Sequence, residues 1–289
     1  MLRERFRHYL EDMTAAPREA LAGALVAHGH ATEATLLRHY AEHGPTSHRL
    51  TEGRWAGHTA HVGPRVPTAS GGDLWLDTCE VSLMVLVPRS PAELATLSPA
   101  HLARLTPFVS WLALRPVGRW QFGAFVDVAP REPVEQQYTP PFMPLDPARF
   151  TTSDRDENAS ITGVTCDEAG LYLHWFGKQM AAQDDWQAAA RTLPKALWGE
   201  PPREWVGQSY FDEQLMVAVS PATVDRDPRD AIDDDDDATR MLYDEWDAPD
   251  DVTFRSVVSL QVGLRLEPSG TAPGLLPIRL RGRLARPAR

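Results

Sequence analysis

The chain has 289 residues, 43% of them hydrophobic, which is enough to build one large core or two small ones. Its net charge of −11 argues against a nucleic-acid-binding surface, because phosphate recognition relies on clustered Lys and Arg. No apolar run reaches the ~18 to 20 residues that a membrane helix needs, and the opening MLRERFRHYL lacks the apolar centre of a signal peptide, so we expect a cytoplasmic protein without a membrane span.

Residues 1–45 are predicted to form a small helical segment, because apolar residues recur there at helical spacing in three short runs that end before Gly44. Helices of this size make a marginal core on their own. We therefore expect them to present apolar stripes to a partner protein, while residues 50–270 fold without them. The residues predicted to bind that partner are Leu21, Leu25, Leu36 and Leu37.

Histidines are concentrated early in the chain, and two of them have the spacing of metal ligands. His39 and His43 lie four residues apart on the third predicted helix, which lets two imidazoles share one ion. No carboxylate or cysteine follows at a fixed ligand offset, so solvent-facing histidines are the favoured interpretation and a transition-metal site is the alternative. Further imidazoles are available at His28, His30, His48, His58 and His61.

Residues 46–72 are rich in Gly, Pro, Thr and Ser, which is typical of a linker or an irregular opening loop. A larger domain is predicted over residues 73–270. Its most informative segment contains Thr165 and Glu168, which form a capping box at the start of a helix. An apolar face follows up to Phe176, and Gly177 stands where a left-handed C-terminal cap belongs.

A second short helix is predicted around residues 184–190, and it carries Trp186. We expect Trp186 to pack with Tyr172 and Trp175 beneath the two helices, because large aromatic side chains dominate core energetics.

The run GVTCDEAGLYLHWFGKQMAAQDDWQAAAR resembles the central signature of the formylglycine-generating enzyme family, the sulfatase-modifying factors. LWLDTCEVS upstream is similar to the family's first-strand pattern, GEPPREWV downstream to its GNVWEWT segment, and VGLRL to its closing strand. The resemblance runs from Val62 to Leu266 and implies an α+β, C-type-lectin-like fold with much irregular structure. The signature positions that the chain keeps are Asp167, Glu168, Ala169, Tyr172, Trp175, Gly177, Lys178, Trp186 and Arg191.

The metal chemistry of the family does not carry over. Its copper-dependent members hold the metal through two cysteines just before the closing strand, and soft thiolates are what bind Cu(I). This chain has no cysteine between Trp205 and Leu266, and neither Cys79 nor Cys166 matches those positions. The iron-dependent relatives use three histidines from a larger helical domain whose HxxxHxE pattern is absent here. We therefore expect no catalytic residues from the family and two structural, reduced cysteines.

Two charged segments complete the chain. Residues 225–251 are dominated by carboxylates and are predicted to be a solvated acidic insertion. Calcium prefers such oxygen ligands, with Asp233, Asp235 and Asp237 as candidates, but the spacing is not that of an EF-hand and lacks its central glycine. Residues 271–289 form a basic tail that could bind an acidic partner or the acidic insertion, although a solvated end is the favoured interpretation.

Three functional hypotheses follow. The first is a non-catalytic recognition or scaffold protein that binds a protein partner, by analogy with bacterial conflict and defence systems that combine such domains with helical adaptors. The second is an enzyme acting on a peptide or amino-acid substrate, with no catalytic residues assigned. Glu200 and Glu204 could act as an acid/base pair, but the resemblance implies that this region packs structurally. The third is a maturation factor for a secondary metabolite.

Overall fold

The computed structural model describes residues 1–67, 74–88, 108–129, 145, 147–150, 157–181, 203–209, 215–219, 240–244, 250 and 252–261. Within these ranges the protein is a mixture of helices and strands, so the α+β class is confirmed. The helices are α1 (Leu2–Glu11), α2 (Ala15–Ala27), α3 (Ala31–His43), α4 (Arg119–Val128) and α5 (Cys166–Trp175), with 3-10 turns at Gly53–Trp55 and Pro147–Phe150.

The strands form two sheets. The larger has the order β1-β2-β3-β4-β5-β11-β6 and the smaller the order β10-β7-β8-β9. Strand β2 is parallel to β3, and β10 is parallel to β7, whereas the other neighbours are antiparallel. The strands are β1 (Thr46–Arg49), β2 (Thr59–Gly63), β3 (Leu74–Asp77), β4 (Ser82–Pro88), β5 (Phe108–Ala113), β6 (Gln179–Met180), β7 (Arg203–Ser209), β8 (Leu215–Val219), β9 (Arg240–Asp244), β10 (Val252–Thr253) and β11 (Ser256–Gln261).

Both faces of the larger sheet carry buried side chains, which follows from the two-residue period of a strand. On the face toward the helices, Leu74, Val85, Leu112 and Val257 form one cross-strand row that belongs to the main hydrophobic cluster. The opposite face holds a smaller cluster of Trp75, Met84, Trp111, Ala113 and Val258.

The N-terminal helices belong to the same core as the sheets. Helix α1 packs on α4, where the rings of Phe6 and Trp120 meet edge to face with centroids 4.9 Å apart. The hydroxyl of Tyr9 donates a 2.6 Å hydrogen bond to the carbonyl of Thr78, beyond the end of β3. Glu157 accepts hydrogen bonds from the backbone N–H of Leu2 at 2.6 Å and fixes the first turn of α1. The predicted boundary at residue 45 therefore does not separate two cores.

The prediction of an exposed apolar stripe on these helices is wrong. Helices α2 and α3 pack against each other, and α3 also contacts β1, β2 and β3. Among the described residues, the large hydrophobic side chains left exposed are those of Met1 and Val26. The four leucines predicted to bind a partner are each 0% exposed: Leu21, Leu25, Leu36 and Leu37.

Two segments predicted to be irregular contain strands. Residues 46–63 of the predicted linker hold β1 and β2 at one edge of the larger sheet, and residues 240–244 of the predicted acidic insertion form β9. Short strands of this kind gain their stability from cross-strand partners rather than from local sequence. In Gly-, Pro- and Asp-rich segments such strands therefore cannot be predicted from the local sequence.

Helix α5 is as the sequence predicts. The Glu168 N–H donates to Thr165 Oγ1 at 3.1 Å, and the Thr165 N–H donates to Glu168 Oε2 at 2.9 Å, which completes the capping box. The Tyr172 ring is buried and stacks on Phe122, with centroids 5.6 Å apart. Trp175 is half-buried against Phe125. Trp186 and the second predicted helix lie outside the described residues.

Candidate functional site

Histidines from α3 and β1 come together at the surface. The rings of His39 and His43 stack with centroids 4.4 Å apart, and the ring of His48 lies 4.3 Å from that of His39. Burial, together with the nearby His48 and His43, lowers the pKa of His39. The structure therefore joins the two predicted ligands with a third imidazole. In the described ranges, however, no group of three or more His, Cys, Asp or Glu side chains is arranged to hold a metal ion.

The predicted calcium ligands Asp233, Asp235 and Asp237 lie outside the described residues, as do Glu200 and the basic tail over residues 271–289. The calcium site and the charged tail stay predictions.

A buried charge cluster lies between β3 and α5. The ammonium Nζ of Lys178 is 2.9 Å from Asp77 Oδ2 and also bonds Glu80 Oε2. The three side chains are 1%, 3% and 0% exposed for Lys178, Asp77 and Glu80. Burial alone would lower the pKa of Lys178, but the two carboxylates outweigh it and raise that pKa above its ordinary value. The cation therefore stays charged inside the core.

Two turns position this cluster. After α5, the Gly177 N–H donates to His174 O at 3.0 Å and the Lys178 N–H to Leu173 O at 2.8 Å, the Schellman pattern. Gly177 has φ +70°, and this left-handed turn sends the Lys178 side chain inward. On the other side, the Cys79 N–H donates to Asp77 Oδ1 at 2.8 Å and holds the Asp77–Glu80 turn. Ser256 Oγ donates to Glu80 Oε1 from β11.

A second buried ion pair connects the two sheets. Arg255 Nε lies 2.8 Å and 3.0 Å from the two carboxylate oxygens of Glu204 on β7, and Arg255 Nη1 donates to Leu114 O at 2.7 Å. Glu204 is 1% exposed and Arg255 is 0% exposed. A carboxylate held this way is unsuited to the acid/base role considered for Glu204, because it is fixed in an ion pair and shielded from substrate.

A groove lies on the edge of the larger sheet, beside β1 and β2. It has a volume of about 520 Å³. On its wall, Ser47 Oγ and His61 Nδ1 are 2.9 Å apart across the two strands. Burial lowers the pKa of His61, so this imidazole is neutral at pH 7. The lining residues are Pro45, Thr46, Ser47, His61, Val62, Gly63, Pro64, Arg65 and Pro67.

Sequence reasoning misses this groove. The sequence offers His61 only as a spare metal ligand and gives no reason to single out Ser47 or Arg65. Ser47 and His61 are 14 positions apart, and only the β1–β2 register, in which Ser47 is opposite His61, brings them together. Because that register depends on a hairpin hidden in linker-like sequence, no local signal could have identified it.

The described residues form an α+β protein in which buried ion pairs lie in the core and a groove lies at one edge of the larger sheet. A scan against protein-family models finds none that matches the chain, and a search of curated proteins finds no similar sequence. Among the helices of the described ranges, none is long and apolar enough to cross a bilayer.

Proposed function

We propose that this chain is a non-catalytic recognition or scaffold protein of the formylglycine-generating-enzyme-like family, with a C-type-lectin-like fold, that binds a protein partner in the cytoplasm. The observation that carries the proposal is the position of the charged signature residues. Lys178 is enclosed with Asp77 and Glu80, and Glu204 is enclosed with Arg255. These residues are therefore enclosed in the core and are not presented to a substrate.

The spatial meeting of distant signature segments supports the family resemblance. Glu80 from the LWLDTCEVS segment bonds Lys178 from the central signature. Trp205 from the GEPPREWV segment donates from its indole Nε1 to Val164 O at 3.1 Å, just before α5 begins. Three segments that resemble one family pattern in sequence thus contact one another in space. This is expected if the chain shares that family's fold.

The environment of the cysteines supports the absence of copper chemistry. Cys79 and Cys166 are 4% and 5% exposed, and both belong to the main hydrophobic cluster. A reactive or metal-binding cysteine must ionise, and burial in apolar surroundings disfavours the thiolate. Neither side chain is placed to bind Cu(I) from solvent.

Few large hydrophobic side chains are exposed on the described part of the surface. Over the described ranges, the large exposed hydrophobic side chains are Met1 and Val26 alone, so a continuous apolar docking stripe is absent there. On the described surface, a partner would be recognised mainly through polar and charged groups. A place in a bacterial conflict or defence system stays an analogy within this proposal.

One observation favours the enzyme alternative. Ser47 Oγ and His61 Nδ1 lie 2.9 Å apart in the groove, the separation of a nucleophile and its base. Such a pair usually needs a third group that orients the imidazole, and in the described part of the chain His61 Nε2 has no hydrogen-bond partner. The recognition function is therefore the better supported of the two.

Anaerobic titration of the full chain with Cu(I), in competition with a chromogenic chelator, tests the non-catalytic assignment. We expect no stoichiometric copper uptake and no oxidation of a cysteine-containing peptide. Uptake of one equivalent that disappears in Cys79→Ser or Cys166→Ser would contradict the proposal. Far-UV circular dichroism of both variants controls for folding.

A further inference from the structure

The groove at the sheet edge has the size and lining of a small-ligand site. Its volume of about 520 Å³ lies in the range of about 300–1,000 Å³ that is usual for such sites. Rigid apolar surface comes from Pro45, Pro64 and Pro67, with Val62 beneath. Rigid walls lose little conformational entropy when a ligand binds, so the groove is suited to an apolar body.

The charge of the groove is opposite to that of the whole chain. Among the described residues that line it, Arg65 carries the one fixed charge and none has a carboxylate. Within the described ranges Arg65 forms no ion pair. On a chain with net charge −11, an unpaired guanidinium beside apolar walls favours an anionic ligand.

The Ser47–His61 pair adds a hydrogen-bond donor. Within the described residues His61 Nε2 is buried without a hydrogen-bond partner, and a buried N–H left unpaired is rarer than an unpaired acceptor. We assign the ring proton to Nδ1 on this ground, so that Nδ1 donates to Ser47 Oγ across 2.9 Å. The Ser47 hydroxyl is then free to donate its own proton toward the groove, because Ser47 is exposed.

We propose that this groove binds an organic carboxylate with an apolar body. Arg65 and the Ser47 hydroxyl hold the carboxylate, and the apolar body lies on Pro45, Pro64 and Pro67. The carboxylate can belong to a free small acid or to the C-terminus of a peptide, since both offer the same chemistry. This site is distinct from the buried ion clusters, and the inference does not rest on the proposed recognition function.

The test compares matched probes by isothermal titration calorimetry on the full chain at low salt. The free-acid arm uses 4-phenylbutyrate against 4-phenylbutan-1-ol, which keeps the apolar body and removes the charge. The peptide arm uses acetyl-Gly-Phe with a free carboxylate against its amide. We expect at least one acid to bind about tenfold more tightly than its neutral counterpart, as one charge-assisted hydrogen bond predicts. The tighter acid identifies the source of the carboxylate.

Three variants make the inference falsifiable. Arg65→Gln should remove the preference for the acid, and Ser47→Ala should weaken acid binding by a smaller factor. Arg5→Gln, an exposed cation on α1 that does not line the groove, should change nothing. Equal binding of acid and neutral probe, an unchanged acid affinity in Arg65→Gln, or no binding at about 10 mM probe overturns the inference. Arg65 and Ser47 are exposed, so both variants should keep the parent thermal midpoint.

Discussion

At the scale of single residues, Lys178 is the counterion of two carboxylates buried in the core. Its replacement in Lys178→Met removes the cation and leaves Asp77 and Glu80 buried beside each other without a counterion. Removing one partner of a buried ion pair costs about 3–5 kcal/mol, so we expect a loss of that order in the free energy of unfolding. Urea denaturation followed by tryptophan fluorescence measures it.

A surface ion pair provides the control for this prediction. Arg38 bonds Glu19 at 2.8 Å, but their side chains are 41% and 63% exposed. Exposed pairs contribute about 0–1 kcal/mol, and Arg38→Met should fall in that range. Equal destabilisation by Lys178→Met and Arg38→Met would contradict the burial of Asp77 and Glu80 around this cation.

Two glycines at the same helix should respond in opposite directions. Gly177 has φ +70°, a conformation that costs an alanine about 1–2 kcal/mol, so Gly177→Ala should destabilise the protein. Gly170 lies inside α5, and outside the helix backbone no described atom comes within 4 Å of the position that an alanine methyl group would occupy. Gly170→Ala should therefore stabilise by up to about 1 kcal/mol through helix propensity. Thermal midpoints of the two variants check the signs, and a shared sign would contradict the assigned C-terminal cap.

At the scale of elements, the contact between α3 and β1 should make stability depend on pH. Burial and the neighbouring His48 and His43 place the folded pKa of His39 below its unfolded value. In the window below the ordinary histidine pKa of about 6.5, the unfolded chain therefore binds more protons, and stability falls as pH is lowered through it. The urea midpoint should be lower at about pH 5.5 than at about pH 7.5.

Replacing His39 by Gln should reduce this difference in urea midpoint. Thr35→Gln, at an exposed position without a titrating group on the same helix, should keep it unchanged. Glu42 from α3 also acts on His39 and raises its pKa, so Glu42→Gln should enlarge the difference. A pH dependence that is the same in His39→Gln as in the parent chain would assign it to other groups.

Helix α5 could be predicted from sequence because its capping box and glycine cap are local signals. The hairpin of β1 and β2 could not be predicted, because the pairing of its strands depends on cross-strand contacts rather than on local sequence. The charged signature positions were visible as a family resemblance. The contacts of Lys178 with two carboxylates and of Ser47 with His61 depend on the tertiary structure. No sequence pattern indicates them.

At the scale of the whole molecule, the N-terminal helices should be required for folding, contrary to the sequence-based expectation. A chain beginning at Leu50 would lack α1 and would expose the surface of α4 around Trp120, which the ring of Phe6 contacts in the full chain. We expect it to aggregate or to lose a cooperative thermal transition. In the full chain, Phe6→Ala should cost about 3–5 kcal/mol. If the truncated chain is monomeric and unfolds in a sharp thermal transition, the expectation that residues 50–270 fold without the helices is correct.

Arg255 couples the unfolding of the two sheets. Its guanidinium binds Glu204 of the smaller sheet and the carbonyls of Ala113 and Leu114 at the end of β5 in the larger one. If either sheet separated alone, a buried charge would be left without its counterion, which is strongly unfavourable. The slowest-exchanging backbone amides of β5 and β7 should therefore share one opening event in deuterium exchange, so that the two sheets form a single cooperative unit.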